Sequence, residues 1–288
     1  MKKTLQFLVG ASLLCAASFT LAAQSADPPK ILRIYREDIK EGKGAGHEKS
    51  EARFAQMLNR VKYPANSLAM TTMSGLAQAW FLEGHESYAS IGETDTFVGQ
   101  APQVKGQFET LDAQDAEFRA SSRTWIAEFR PGMSYHASQL VENLAKMRYV
   151  NVITFRVRLD RDQDFADLAK SAVAALDKSH SDQPVATYQI VSGAPNGTYL
   201  LFEPCASLTA LDGGAARGQA MMQAMGTSGM AKFTKSAGET IASSDAVLFA
   251  INPRMSYPPK AVADADPDYW KPKPAKAAAP AKPAAPAK

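Results

Sequence analysis

One segment of this chain recurs 122 residues further along. Ala120-Ser121-Ser122, a β-like run and Pro131-Gly132-Met133-Ser134-Tyr135 return as Ala242-Ser243-Ser244, a second β-like run and Pro253-Arg254-Met255-Ser256-Tyr257. A match at fixed spacing is the signature of a duplicated structural unit. The chain is therefore predicted to hold two copies of one domain, each of about 120 residues.

Further matches extend the repeat towards the start of each copy. Tyr35-Arg36 matches Phe155-Arg156, and Glu83 matches Glu203, both at an offset of 120. Residues present in both copies are interpreted as structural. We predict that Arg36 and Glu83 form a cross-strand ion pair, which Arg156 and Glu203 repeat in the second copy.

Hydrophobic periodicity assigns both copies the order strand, helix, β-hairpin, helix, strand. The predicted elements of the first copy are 31–36, 47–61, 68–73 with 79–82, 104–121 and 125–129; those of the second are 150–159, 165–176, 186–191 with 198–202, 208–241 and 246–251. Each copy is thus βαββαβ, the ferredoxin-like plan. We predict domains at 24–136 and 148–260, joined by a connecting helix at 137–147.

Two such units in one chain resemble the dimeric α/β-barrel superfamily. The strand ending in Tyr35-Arg36 and the Gly42–Gly46 loop before His47-Glu48-Lys49 are also similar to members of that group. The resemblance implies an α+β fold in which two ferredoxin-like sheets form one intrachain barrel, and a monomer with pseudo-twofold symmetry. Members include cofactor-free monooxygenases, haem-degrading enzymes, haem peroxidases and isomerases, so the resemblance predicts a fold and does not select a reaction.

The two ends of the chain differ from the rest in composition. Lys2 and Lys3 precede an apolar stretch from Leu5 to Leu21 and small residues at Ala22-Ala23, which predicts a signal peptide at 1–23 and a periplasmic or secreted protein. Residues 271–288 are only Lys, Pro and Ala, and a disordered tail is predicted over 261–288. This tail is a candidate for contact with an anionic cell-envelope surface.

The formal charge argues against one class of partner. Removing the two lysines of 1–23 and the five of 271–288 from the 32 basic residues leaves 25 against 29 acidic residues, a net charge of −4. A mildly acidic body is a poor nucleic-acid binder, so no nucleic-acid partner is expected.

Familiar catalytic and cofactor motifs are not found in the sequence. Neither nucleotide-binding glycine fingerprint nor Gly-x-Ser-x-Gly occurs, and the Gly42–Gly46 stretch is interpreted as a flexible β–α connection. No two of the four histidines have the spacing of metal ligands, so no metal site is predicted. Cys205 lies in an apolar stretch and is predicted to be a small buried side chain.

Residues found in only one copy are the better candidates for function. Trp80 and Trp125 of the first copy correspond to Leu200 and Val247 of the second. By the resemblance, a ligand cavity lies between the sheet and its helices, where Tyr35, Trp80, His85 and Trp125 are the candidate lining residues. An aromatic wall suits a flat or apolar ligand, so binding of a small molecule without catalysis is the favoured hypothesis.

Two alternatives remain open from the sequence. One is a haem-dependent or cofactor-free oxidoreductase of the superfamily type, in which His85 or His136 is the iron ligand if haem is bound. The other is an envelope-associated structural protein whose C-terminal tail makes the contact.

Overall fold

The structure, a computed structural model, describes residues 27–271. The predicted signal peptide and the Lys/Pro/Ala stretch after Lys271 lie outside the described residues. Between residues 27 and 271, none of the helices combines the length and apolar character that a membrane span requires.

The first half has the predicted order of elements with one addition. Its elements are β1 (Ile31–Ile39), α1 (Gly44–Val61), β2 (Ser67–Thr72), β3 (Gln78–His85), α2 (Tyr88–Gln100), α3 (Pro102–Asp115) and β4 (Arg119–Phe129). Helix α2 was not predicted; its N-cap Ser87 accepts a hydrogen bond from the Ser90 N–H. The predicted helix over 104–121 is too long, because Ser121 already pairs with Asp38 in the sheet.

The second half repeats this order after a short linker. The linker holds α4 (Ser138–Glu142) and a 3-10 turn, and the elements that follow are β5 (Tyr149–Val157), α5 (Asp162–Lys178), β6 (Ala186–Ser192), β7 (Thr198–Cys205), α6 (Thr209–Asp212), α7 (Gly214–Thr240) and β8 (Ile241–Ile251). Gly226 interrupts α7 with a φ of 70° and a ψ of 169°, a conformation that glycine adopts readily. Helix α5 has acidic residues in its first turn and Lys178 in its last, which complements the helix dipole.

The eight strands form one closed antiparallel barrel in the order β1-β3-β2-β8-β5-β7-β6-β4. The halves join at two seams, where Met70 of β2 pairs with Ile251 of β8 and Phe129 of β4 pairs with Tyr188 of β6. The predicted fold class, two ferredoxin-like repeats that form an intrachain α/β barrel, is confirmed. A single chain therefore supplies every strand that closes the sheet.

Strand alternation separates the barrel interior from the helix-covered outer face. Leu32 and Ile34 of β1 belong to the core inside the barrel, with Trp80, Leu200 and Phe249. Their neighbours in sequence face the helices: the Arg33 guanidinium contacts Thr94 and Asp95 of α2. The outer face of β1 is therefore the surface on which polar side chains meet the helices of the first half.

The sheet register corrects the predicted alignment of β1 with β5. A bulge lies between Asp38 and Ile39 in β1 and between Arg156 and Val157 in β5. Beside it, the N–H of Lys40 donates to the Phe118 carbonyl, as the N–H of Arg158 donates to the Thr240 carbonyl, both at 2.9 Å. A β1 residue thus corresponds to the β5 residue 118 positions later, as Ile39 does to Val157, while β4 and β8 keep the offset of 122.

The ordered body continues beyond residue 260. Helices α8 (Lys260–Ala265) and α9 (Pro267–Trp270) follow β8, and Trp270 is only 4% exposed. The Trp270 indole N–H donates to the Ala145 carbonyl at 2.9 Å, and the Tyr269 hydroxyl donates to the Ile251 carbonyl at 2.7 Å. The predicted start of a disordered tail at 261 is therefore wrong, since residues up to Trp270 pack on the linker and the barrel end.

Candidate functional site

A cavity of about 340 Å³ lies at the end of the barrel where β1 and β5 begin. The strand ends form its walls, and the chain before β1 and the linker around α4 complete them. The apolar side chains that line it include Leu32, Leu68, Met70, Leu82, Leu140, Leu144, Met147, Val150, Phe202 and Ile251. Its volume and lining suit a small, largely apolar molecule.

None of the predicted ligand-binding residues lines this cavity. Trp80 and Trp125 lie deeper in the barrel, 3% and 2% exposed, with their rings edge to face at 5.6 Å between centroids. Tyr35 and His85 lie on the outer face of the sheet. The structure therefore brings the two tryptophans together but places them on the opposite side of the sheet from Tyr35 and His85.

Arg36 lies between the two tryptophans inside the barrel. Its guanidinium carbon is 4.4 Å from the Trp80 ring centroid and 4.2 Å from that of Trp125, which are cation–π distances. The Gln78 side-chain oxygen accepts hydrogen bonds from Arg36 Nη2 and from Trp80 Nε1. Burial, with repulsion from Arg123, lowers the pKa of Arg36 to about 10.

The predicted ion pair between Arg36 and Glu83 is wrong, because Arg33 is the partner of Glu83. Residues 33 and 83 are paired directly across β1 and β3, and Arg33 Nη2 lies 2.7 Å from Glu83 Oε1. Asp95 also pairs with Arg33 at 2.7 Å. Arg36 points into the barrel instead, because it is an odd number of residues from Arg33 along an alternating strand.

The second half keeps only part of this arrangement. Asn151 takes the place of Arg33, and its side-chain amide donates to Glu203 Oε2 at 2.8 Å. Arg156, predicted to pair with Glu203, instead contacts Thr198. The carboxylate is thus retained in both halves and the cation in one.

The histidines predicted as haem ligands do not have the geometry for that role. His85 is 3% exposed, and both ring nitrogens have partners: Nε2 lies 2.6 Å from Glu83 Oε1, and Nδ1 lies 3.2 Å from Ser90 Oγ. His136 is exposed and stacks on Tyr135 at 3.9 Å. Neither presents a ring nitrogen to the cavity, so these residues do not fit a haem group.

Cys205 is a buried thiol, in agreement with the prediction. It is 5% exposed at the end of β7, and burial raises the pKa of the thiol. A thiol with a raised pKa is mostly protonated near neutral pH and is a weak nucleophile. Its position therefore indicates packing rather than chemistry.

A second group of buried polar residues lies on the outer face of the first half, between β1, α1 and α3. His47 Nε2 is 2.7 Å from Glu37 Oε2 and 3.6 Å from Asp115 Oδ2. Glu51 lies one turn after His47 on α1 and completes the group. All four side chains are buried, at 2% exposed for His47, 6% for Glu37, 8% for Glu51 and 1% for Asp115.

Burial dominates the electrostatics of this group. Burial and the nearby carboxylates of Glu37 and Asp115 raise the pKa of Glu51 well above its usual value. Burial also raises the pKa of Asp115, with Glu37 adding to the effect and His47 and Arg119 opposing it. Arg119 pairs with Glu37 through Nη1 at 3.0 Å.

The sequence-based prediction did not identify this group, although a partial signal was present. His47 and Glu51 are four residues apart on one helix, which places them on the same face. Glu37 is two residues beyond Tyr35 and therefore on the same face of β1. Asp115 had no local signal, because its position depends on the packing of α3 against α1.

Comparison with known proteins identifies the fold. No family model matches the chain, and no curated protein matches it. An "anthrone oxidase-like protein" of known structure is 11% identical and has a TM-score of 0.51, over 79% of this chain and 93% of that one. A "putative monooxygenase" from Fusobacterium nucleatum is 12% identical with a TM-score of 0.50, over 79% and 94%.

A mutant chlorite dismutase from Candidatus Nitrospira defluvii is more distant, with 11% identity and a TM-score of 0.44 over 79% of this chain and 92% of that one. At such identities, structural likeness speaks for the fold alone. The chain thus has the dimeric α/β-barrel architecture, with both halves in one polypeptide.

Proposed function

We propose that this single-chain dimeric α/β barrel binds a small, largely apolar molecule in the cavity at the end of the barrel. The observation that carries the proposal is the cavity itself, about 340 Å³ in volume and lined mainly by apolar side chains. An apolar cavity of about 150 Å³ accepts benzene, so a molecule of about two fused aromatic rings is a reasonable upper size here.

Binding without catalysis is favoured by the chemistry of the lining. Among the residues that the structure describes, neither a histidine nor a cysteine lines this cavity. Tyr188 does line it, but its hydroxyl donates to the Pro29 carbonyl at 2.8 Å, and burial raises its pKa far above the neutral range. The "monooxygenase" and "oxidase-like" names of proteins with this fold suggest oxidation of a bound molecule. The two carboxylates among the described lining residues, Asp27 and Glu86, are exposed, and Glu86 lies 3.6 Å from the Lys30 ammonium, so the buried part of this lining offers no carboxylate, histidine or thiol for such chemistry.

The test is to narrow the cavity from the linker helix. Leu140 of α4 lines the cavity, so Leu140→Trp places a larger side chain in it. The probe is 1-naphthol, titrated calorimetrically into the full chain. The wild type should bind, and the variant should bind about tenfold or more weakly, a loss of about 1.4 kcal/mol or more.

Glu142→Trp is the matched control. Glu142 lies on the same helix, is exposed and does not line the cavity, so this variant should bind 1-naphthol as the wild type does. The proposal fails if the wild type does not bind the probe, or if Leu140→Trp and Glu142→Trp bind it equally well. A native mass spectrum of the purified protein would add the mass of any ligand retained from the cell.

A further inference from the structure

The buried group consists of Glu37, His47, Glu51 and Asp115. Each of these positions has an equivalent in the second half of the chain. The N–H of His47 donates to the Lys43 carbonyl and that of Phe165 donates to the Arg161 carbonyl, which places Phe165 at the position of His47, 118 residues later. At the same offset Phe155 takes the place of Glu37 and Ala169 that of Glu51. At the β4/β8 offset of 122, Ala237 takes the place of Asp115 and Ile241 that of Arg119.

These counterparts form an apolar cluster. Phe165 is a buried member of it, and Phe155, Ala169, Ala237 and Ile241 pack against it. The fold therefore forms this layer with hydrophobic side chains, as an ordinary core would. Replacing a buried ionic group by hydrophobic residues is often neutral or stabilising, so stability alone does not account for the polar group in the first half.

The hydrogen bonds within the polar group are also incomplete. Both carboxylate oxygens of Asp115 and the hydroxyl of Ser50 are buried without a hydrogen-bond partner. Arg119 Nε forms an ion pair with Asp115 Oδ2 at 3.1 Å, and the Ser50 hydroxyl lies near this carboxylate, but neither Asp115 oxygen receives a well-aligned hydrogen bond. Three carboxylates thus share one guanidinium and one imidazole in a site closed to solvent. Buried polar atoms in native proteins nearly always have a hydrogen-bond partner, so the two unsatisfied Asp115 oxygens indicate a further partner that comes from outside the chain.

We propose that Glu37, His47, Glu51 and Asp115 bind a divalent first-row transition-metal ion. One ligand atom from each of the four lies within 4.8 Å of the others. Ligand atoms around a tetrahedral zinc ion are about 3.4 Å apart, given bonds of about 2.0–2.2 Å. The 3.6 Å between His47 Nε2 and Asp115 Oδ2 matches this spacing, while the 2.7 Å to Glu37 fits a hydrogen bond and must open by a small side-chain rotation when metal replaces the proton.

The donor set narrows the choice of ion. An imidazole nitrogen favours zinc, iron or nickel over magnesium and calcium, and the carboxylates extend the range to manganese. Arg119 holds Glu37 Oε1, leaving Oε2 towards His47, which is the kind of outer contact that orients a ligand. The ion would balance the carboxylate charge that Arg119 leaves uncompensated.

The test uses the full chain after removal of metal with a chelator. Zn²⁺ and Mn²⁺ are titrated calorimetrically, and one tight site is expected, with Zn²⁺ bound more tightly. Asp115→Asn keeps the shape of the side chain and removes its charge. Losing an outer-shell partner of a metal ligand costs about 10–100-fold in affinity, so changing a ligand itself should weaken Zn²⁺ binding by about 100-fold or more. Glu109→Gln is the matched control, since Glu109 lies on the same helix, is exposed and pairs with Lys105 rather than with Arg119 or any member of the group; it should bind as the wild type does.

Two further measurements test the site independently of Asp115. A double variant, His136→Asn with His180→Asn, removes two histidines that lie outside the group and should retain the site. X-ray absorption of the zinc-loaded wild type should show only nitrogen and oxygen ligands with a single imidazole, which does not depend on any variant. Zinc binding that survives in Asp115→Asn, binding lost in the double-histidine variant, a sulfur ligand, or no binding to the wild type would each overturn the proposal.

Discussion

Arg33→Met tests the buried network on the outer face of β1. Arg33 and Glu83 side chains are 10% and 7% exposed, and Arg33 donates to Glu83 through both Nε at 3.0 Å and Nη2 at 2.7 Å. Methionine keeps much of the packing volume and removes the charge and the donors. The substitution therefore leaves the Glu83 carboxylate buried without its cation.

Breaking a buried ion pair from one side costs about 3–5 kcal/mol. The lower end applies here, because Glu83 keeps His85 Nε2 at 2.6 Å and the Tyr63 hydroxyl at 3.3 Å. We therefore expect a loss of about 3 kcal/mol in the free energy of unfolding. For a domain of this size, that loss lowers the Tm by about 6–12 °C.

A double-mutant cycle with Glu83→Gln isolates the pair, because the amide oxygen of the introduced glutamine can still accept from His85. Urea denaturation should give a coupling energy of about 1.5 kcal/mol or more between residues 33 and 83. The same cycle between residues 36 and 83 should give a value near zero, since Arg36 lies inside the barrel. Equal coupling energies in the two cycles, or an Arg33→Met variant as stable as the wild type, would refute the pairing of Arg33 with Glu83 across β1 and β3.

Two further predictions concern the ends of the chain. Trp270→Ala should lower the free energy of unfolding by about 3–5 kcal/mol in urea denaturation, because it empties a buried site and removes the hydrogen bond to Ala145. A chain ending at Lys271 should be as stable as the full chain. If the truncation lowered the free energy of unfolding and Trp270→Ala did not, the assigned end of the folded body would be wrong. Export is proposed from the composition of residues 1–23, and the protein recovered from the cell envelope or medium should have an N-terminus near Gln24 by mass spectrometry. An intact Met1 in a cytoplasmic fraction would contradict export.

The element order could be predicted because periodicity is a local property, and the joining of the halves came from the family resemblance rather than from the pattern. The features that were not predicted have weak local signals or depend on contacts distant in sequence. Helix α2 has only a weak apolar periodicity over Tyr88–Gln100, and the cap at Ser87 is its clearest signal. Trp270 stands next to a Lys/Pro/Ala stretch, so composition gave no reason to place it in the core. Its burial follows from packing against the linker more than a hundred residues earlier.

The candidate site was mispredicted for a reason visible in strand geometry. Tyr35 and Arg36 are adjacent on β1, so one faces the helices and the other faces the barrel interior. A cavity lined by both Tyr35 and Trp80 was therefore incompatible with a barrel in which Arg36 contacts Trp80. The apolar cavity that does exist is formed by strand ends and covering segments, and no local pattern marks such a place.

The duplication also separates residues that the fold requires from residues that it does not. Arg36, Trp80 and Trp125 in the first half correspond by register to Thr154, Leu200 and Val247 in the second. Both sets occur inside the same closed barrel, so the arginine between two tryptophans is not a condition for its formation. The same argument applies with more force on the outer face, where Phe165 and Ala237 fill the positions of His47 and Asp115. Burying carboxylate oxygens without hydrogen-bond partners is costly, and the second half shows that this layer can be formed without a carboxylate. The asymmetry between equivalent positions, rather than the presence of polar residues alone, therefore supports the proposed metal ion in the first half.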